Sequence, residues 1–386
     1  MPVFIGRDRE ARRAYGFDEV AIVPGTTTID PEDTDISFKL GDLKLEIPFL
    51  ASAMDGVVDV KFAIAMGKLG ALAVLNLDGI QTRYSHPEGI YKRISETSAE
   101  EATHLVQEIY REPVKDVLIE QRIREIKSAS VLAAVSTIPQ NAEKYAPIVQ
   151  DADADIFVIQ GTVTTAKYHS TRNLGIDLKK ICQNLKIPVI IGNTVTYQSA
   201  LELMETGCAA ILVGVGPGTA CTTRGVLGIG VPQVTATIDC ASARDYYFKK
   251  SGRYVSVITD GGMNSGGDIC KAFASGADAI MVGNAFARAQ EAPGRGYHWG
   301  MATPHWNLPR GTRVYVGTTG TLEEILYGPA KTDDGTQNLV GALKTCMGLV
   351  GAKTIKDLQL AELIIAPDIK TEGKLFQKAQ RVGMGK

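Results

Sequence analysis

The sequence predicts an α/β chain folded as a (β/α)8 barrel, and three observations predict it. Short apolar runs recur without polar alternation, helical patterns separate most of them, and glycine-rich turns follow several of them. Unalternating runs of this kind mark parallel strands covered on both faces. Eight are present: Pro48–Ala51, Ala71–Leu75, Val131–Val135, Asp155–Ile159, Pro188–Gly192, Ala209–Val213, Val255–Thr259 and Ala279–Gly283. Helical periodicity lies between them at Val60–Leu69, Ala142–Asp151, Tyr197–Thr206, Val234–Tyr247 and Gly267–Ser275. Such a barrel takes about 250 residues before insertions. The 386-residue chain holds one with room for additions. A doubly wound open sheet is the other architecture with this alternation.

The additions are legible as breaks in the rhythm. Residues 1–47 carry short extended pieces broken by turn residues and read as an N-terminal arm covering one end of the barrel. Residues 48–386 form the barrel unit. Between the second and third strands, residues 79–130 are polar and helix-rich, with helical patterns at Glu100–Ile109 and Val117–Ile126. After the eighth strand, residues 294–340 hold Gly, Pro, His and Trp without periodicity, as expected of a functional flap. The tail from 341 regains helical character and closes on a basic, glycine-punctuated segment read as loose.

A net charge of −2 argues against nucleic acid or an anionic membrane as the main partner. No apolar run reaches the roughly 18 residues a membrane span needs, and no signal peptide opens the chain. The six cysteines form no CxxC pairs, which fits reduced thiols in a cytoplasmic protein.

In a parallel barrel the chemistry lies just beyond the strand ends. The sixth run empties into Gly216-Pro-Gly-Thr-Ala-Cys-Thr-Thr-Arg224, where Cys221 sits among small residues after a glycine turn. A random cysteine is usually a buried core thiol, and the other five keep that reading. Cys221 reads as a nucleophile, with Arg224 and the helix start near Val231-Pro-Gln-Val as groups able to favour its thiolate. After the seventh run, Asp260 precedes Gly261-Gly262 and suits a pair of ribose hydroxyls, although turn aspartates are common. Gly262, Gly283 and Asn284 offer backbone N–H groups to a phosphate on the same rim. Ser52 and Met54 end the first strand; His298 and His305, with Trp299 and Trp306, read as surface aromatics of the flap. No spacing suggests a zinc or iron site.

Taken in order, Phe17-Asp-Glu-Val-Ala-Ile-Val-Pro24, Ile47–Asp55, the 211–233 loop, Thr259–Ala277 and Met281-Val-Gly-Asn284 resemble the IMP dehydrogenase/GMP reductase family. The resemblance extends through Gly341–Leu358 and is closest to the shorter IMP dehydrogenase-related subfamily without a CBS module. It implies that Cys221 attacks C2 of a purine nucleotide to form a thioimidate, with Thr223 assisting proton transfer. Thr219, Gly262, Gly283 and Asn284 would hold the 5′-phosphate, and Asp260 the ribose. Ser52 and Met54 would line the nucleotide site, and Gly300, Met301 and Ala302 would meet the base edge. Carbonyls of Gly216, Gly218 and Cys221 would coordinate potassium. Gln160, Thr162 and Asn193 would lie towards the nicotinamide cofactor. A tetramer or octamer is the implied assembly.

Departures from the family pattern point to one reaction. Residues 79–130 are too short for a tandem CBS module, and Arg313 and Tyr315 do not form the adjacent Arg-Tyr pair with which the dehydrogenases activate water. These favour GMP reductase, which converts GMP to IMP and ammonia with NADPH. IMP dehydrogenase, using NAD, is the alternative, as is a silent nucleotide-binding subunit. Arg310 stands where a reductase carries a lid glutamate, so another acid such as Glu323 or Glu324 would have to serve, and Gln160 replaces the dehydrogenases' aspartate.

Overall fold

The computed structural model describes residues 3–169, 176–300 and 313–383. Eight parallel strands close on themselves, which excludes the open sheet. They are β1 (Phe49–Ala51), β2 (Leu72–Asn76), β3 (Ala134–Thr137), β4 (Ile156–Gln160), β5 (Val189–Thr194), β6 (Ala210–Val213), β7 (Ser256–Asp260) and β8 (Ala279–Val282). Each pairs with its neighbour in sequence, and β8 pairs with β1 through Ile280 opposite Phe49. All eight predicted runs became strands. The third begins three residues late, because pairing with β2 starts only where Ala134 meets Val74.

Eight helices ring the barrel: α1 (Val60–Lys68), α2 (Asp116–Lys127), α3 (Pro139–Asp151), α4 (Leu178–Asn184), α5 (Tyr197–Met204), α6 (Gln233–Ser251), α7 (Gly266–Ala274) and α8 (Leu339–Val350). Asp59 caps α1 by accepting the Phe62 N–H at 2.7 Å, and Ser265 caps α7. The helix α4 escaped the periodicity reading, being only two turns long.

Side chains alternate along each strand between two cores. Leu50, Val74, Ala134, Val158, Leu212, Ile258 and Met281 fill the barrel interior, while Phe49, Leu75, Val135, Phe157, Ile211, Val257 and Ile280 face the helices. Continuing the inward register, the next positions at the strand ends are Ser52, Asn76, Ser136, Gln160 and Asp260. The interior is therefore apolar below and polar at its upper mouth, a gradient that seats a polar ligand there.

The opposite end of the barrel is plugged. A hairpin of Phe38–Leu40 and Leu43–Leu45 buries Phe38, Leu40 and Leu45 among the interior side chains. Elsewhere in the arm, Val20–Ile22 pairs antiparallel with Leu363–Ile365, so the tail is tied to the arm by strand pairing ahead of its basic closing segment. Residues 79–130 fold as helices Ile80–Arg83, Glu88–Glu96, Ala99–Ile109 and α2. The stretch after β8, which lacks periodicity, contains an antiparallel pair, Tyr297–Trp299 with Arg313–Tyr315, and a capped helix at Leu322–Tyr327. Among the described residues, no helix is long and apolar enough to cross a membrane.

Candidate active site

A cavity of about 630 Å³ opens at the polar mouth of the barrel. Of the candidate site residues, it is lined by Ser52, Met54, Gln160, Thr162, Asn193, Gly216, Gly218, Thr219, Cys221, Thr223, Asp260, Gly262, Gly283, Asn284 and Gly300. Met301, Ala302, His305, Trp306 and Arg310 lie outside the described residues.

The β6 loop places the sulfur. Cys221 is exposed to the cavity, and its thiol reaches the Thr223 hydroxyl at 3.2 Å. Thr223 itself is buried, so its hydroxyl has one fixed neighbourhood. The Cys221 N–H donates to the Gly218 carbonyl at 3.0 Å and closes the turn. Arg224 interacts with Cys221 through its charge, as its sequence position suggested, but directs its hydrogen bonds elsewhere. Its guanidinium binds the carbonyls of Val215 at 3.2 Å and Val231 at 2.7 Å, stapling the two ends of the loop. Gln233, at the start of α6, donates to the carbonyls of Val213 and Asp260, at 2.7 and 2.9 Å, and holds β6 against β7.

Two glycines let these loops approach. Gly214 has φ +155°, and a Cβ there would stand 2.2 Å from the Asp260 carbonyl oxygen. Gly262 has φ +82°, and a Cβ there would sit 3.1 Å from Pro217. Conformation disfavours a side chain at both positions, and at Gly214 space excludes it as well.

Asp260 ends β7 facing inward. Its Oδ2 accepts the Asn193 amide at 2.8 Å and the Gln160 amide at 3.0 Å. Burial pushes its carboxyl up to about 6, against the lowering effect of those two donors. The amide oxygens of Gln160 and Asn193 are buried without a partner among the described residues, which leaves two acceptors beside the carboxylate. Asn284 donates to Asn264 Oδ1 at 3.0 Å, bridging the β7 and β8 loops.

His298 corrects an expectation. It is 1% exposed and lines the cavity, and neither ring nitrogen has a partner among the described residues. Burial, helped by the charge of Arg288, pulls its imidazole down to about 4. The residue looked like flap surface because nothing in its local sequence marks a strand. Ile138, Pro139 and Gln140, at the start of α3, and Met263 also line the cavity without having been anticipated. No sequence signal singled them out beyond their place after a strand.

The candidate acids fail on geometry. Glu324 is the third residue of the helix Leu322–Tyr327, accepts the Thr321 N–H at 2.9 Å in a capping box, and pairs with Lys331 at 2.5 Å. Neither Glu323 nor Glu324 lines the cavity, and Asp260 is the only carboxylate among the described residues that does. Arg313 is likewise engaged elsewhere, on the carbonyls of Ile94 and Thr97 and over the Tyr297 ring at 4.1 Å. Tyr315 is 67% exposed.

Comparison with known proteins gives the family. The model of the IMP dehydrogenase / GMP reductase domain matches residues 14–369. An uncharacterized oxidoreductase of Mycolicibacterium smegmatis is 38% identical over 372 residues, covering 94% of this chain and 99% of that one. Inosine-5′-monophosphate dehydrogenase of Cryptosporidium parvum is 30% identical, covering 89% of each chain. The crystal structure of an IMP dehydrogenase/GMP reductase-like protein from Corynebacterium glutamicum superposes with a TM-score of 0.89 at 36% identity, covering 94% of this chain and 97% of that one. An exposed cysteine on the β6 loop, an inward carboxylate at the end of β7 and a matching domain over most of the length lead to one assignment: the chain belongs to the IMP dehydrogenase/GMP reductase family and is an oxidoreductase of that kind.

Proposed function

We propose that the protein is a GMP reductase, converting GMP to IMP and ammonia at the expense of NADPH. The observation that carries this reading is the juxtaposition of the exposed Cys221 sulfur, 3.2 Å from the Thr223 hydroxyl, with Asp260 in the same cavity. In this reading Asp260 accepts hydrogen bonds from the ribose hydroxyls, while Thr219, Gly262, Gly283 and Asn284 hold the 5′-phosphate. Ser52, Met54 and Gly300 border the base, with Met301 and Ala302 at its edge.

Cys221 adds to C2 of the purine. The C2–S bond forms, the bond from C2 to the exocyclic nitrogen breaks, and the thiol proton leaves with that nitrogen as ammonia. Thr223 relays the proton between sulfur and amine. A nicotinamide cofactor bound beside Cys221 would supply the hydride that C2 takes up. With uptake of one proton the C2–S bond then breaks, releasing IMP and the Cys221 thiol. Gln160, Thr162 and Asn193 suit a carboxamide on that side of the cavity, because the unpartnered amide oxygens of Gln160 and Asn193 are acceptors for its NH2 group. The carbonyls of Gly216, Gly218 and Cys221 are the oxygen donors a potassium ion takes. Gly218 retains a second lone pair beside its bond to the Cys221 N–H. Potassium there would steady the loop that carries the sulfur.

Reduction is preferred over hydrolysis because neither Arg313 nor Tyr315 borders the cavity to activate water. One observation favours the second reading, an IMP dehydrogenase making XMP with NAD: the described cavity lining offers no acid beside Asp260 to ease the departure of ammonia. The discriminating assay follows reduced nicotinamide by absorbance with GMP and NADPH, and separately with IMP and NAD. Oxidation of NADPH only with GMP upholds the reductase. NADH formation only with IMP overturns it. Nucleotide binding without turnover in either assay identifies a silent subunit.

A further inference from the structure

We infer that the helical connection between β2 and β3 is a brace for the cavity wall, with Tyr110 and Trp299 as its positioning residues. The inference starts from strand geometry. Successive side chains of a strand point to opposite faces. In the strand Tyr297–Trp299, His298 borders the cavity while Trp299, 1% exposed, turns the other way. Trp299 enters a hydrophobic cluster whose other buried members, Ile80, Tyr91, Ile94, Val106 and Ile109, all come from the connection. The wall of the cavity is thus plugged into the core of the inserted helices.

Hydrogen bonds fix the plug. The Trp299 indole N–H donates to the Tyr110 hydroxyl at 2.9 Å, and that hydroxyl donates to the carboxylate of Asp55. Asp55 also accepts the Ile80 N–H at 3.1 Å, and it follows directly on Met54 of the cavity wall. The partner strand is held by the same body, since Arg313 binds the carbonyls of Ile94 and Thr97 at the end of the helix Glu88–Glu96. At the far end of the wall, Gly300 lies against the carbonyl of Ala220, the residue before Cys221, where an added Cβ would stand 3.4 Å away. A shift of Trp299 therefore moves His298 and Gly300 together, one facing the ligand and the other touching the nucleophile's loop.

The buried, unpartnered imidazole of His298 is the polar group this wall presents to the bound molecule. For the identity of that molecule the inference rests on the proposed nucleotide chemistry; the bracing does not.

The test uses the full chain and the variants Tyr110→Phe, Trp299→Phe and the double variant, with two readouts. The first is the rate at which iodoacetamide alkylates Cys221, which needs no substrate. The second is affinity for GMP and for IMP by calorimetry, accompanied by kcat and KM wherever turnover occurs. Removing only the Tyr110 hydroxyl should change alkylation several-fold and weaken nucleotide binding about tenfold, as small displacements at a reacting centre do, with the melting temperature within a few degrees of wild type. The double variant should lose no more than the worse single variant, because both break one link. His298→Phe should weaken nucleotide binding without altering the alkylation rate. Alkylation and affinity both within twofold of wild type in Tyr110→Phe, or strictly additive losses, would overturn the brace. If wild type binds neither nucleotide, the functional proposal falls, and the alkylation rates still decide the brace.

Discussion

Two sides of the barrel mouth are built in opposite ways. On the side of β6, β7 and β8 the site is mostly backbone: glycine turns, an exposed sulfur, and loops stapled by Arg224 and Gln233 through carbonyl groups. Across the mouth, by β1 and β2, it is side chain: the buried carboxylate of Asp55, the phenol of Tyr110 and the indole of Trp299, joined by hydrogen bonds. The first side can shape itself around a ligand, since backbone donors at tight turns carry no side chain to clear. The second is rigid because every displacement leaves a buried polar group unpaired, which costs roughly 1–3 kcal/mol.

The contrast is best broken at the sulfur. Cys221→Ala should abolish turnover by about a thousandfold or more while nucleotide affinity, measured by calorimetry, stays within a few-fold. Persistent activity in that variant would remove the nucleophile from the scheme. Next in size is Gly214→Ala. Its Cβ meets the Asp260 carbonyl at 2.2 Å, so the β6 and β7 ends must part. We expect a loss of about 2–4 kcal/mol in denaturant unfolding and collapse of nucleotide binding.

Asp260→Asn sharpens the comparison through pH. The folded carboxyl titrates at about 6, above its ordinary value, so the folded state holds its proton more tightly than the unfolded chain. That contribution to stability is complete below the unfolded pKa and is lost as pH rises through about 6. Free of ligand, Asp260→Asn should therefore be more stable than wild type at pH 7.5, by about 1–3 kcal/mol at 1.36 kcal/mol per pK unit. The gap should close towards pH 4 in thermal melts. Nucleotide affinity should move the other way, with wild type gaining on the variant above pH 6 as the carboxylate ionises.

Glu324→Ala is the smallest effect. It removes one capping box and one ion pair, so only a slight loss of stability should show in thermal melts. Turnover should stay within twofold. A large loss of kcat there would restore Glu324 as the missing acid.

The same division explains what the sequence could tell. The rim of β6 to β8 was readable because its chemistry is local: a strand, a glycine turn and a functional residue follow one another within ten positions, as at Cys221 and Asp260. The opposite side joins Asp55, Tyr110 and Trp299, residues that share no periodicity and stand far apart along the chain. His298 was misplaced for that reason, since its burial depends on Trp299 docking into helices some 190 positions earlier. The pairing of Val20–Ile22 with Leu363–Ile365 was hidden likewise, because each is a three-residue strand whose partner lies at the other end of the chain. Gln160 fell between the two cases. It was visible as a substitution for a carboxylate, and its bond to Asp260 emerged only from barrel closure.

That long-range pairing also bears on how the molecule assembles. Leu363–Ile365 follows Val20–Ile22 in the chain by the whole length of the barrel, so it is synthesised after every barrel strand. Until it emerges, the edge of Val20–Ile22 waits unpaired, so the barrel can close before the arm is fastened. The pairing is then a strand added to a ready-made scaffold, and a chain lacking Leu363–Ile365 would leave that edge free to capture a neighbour's.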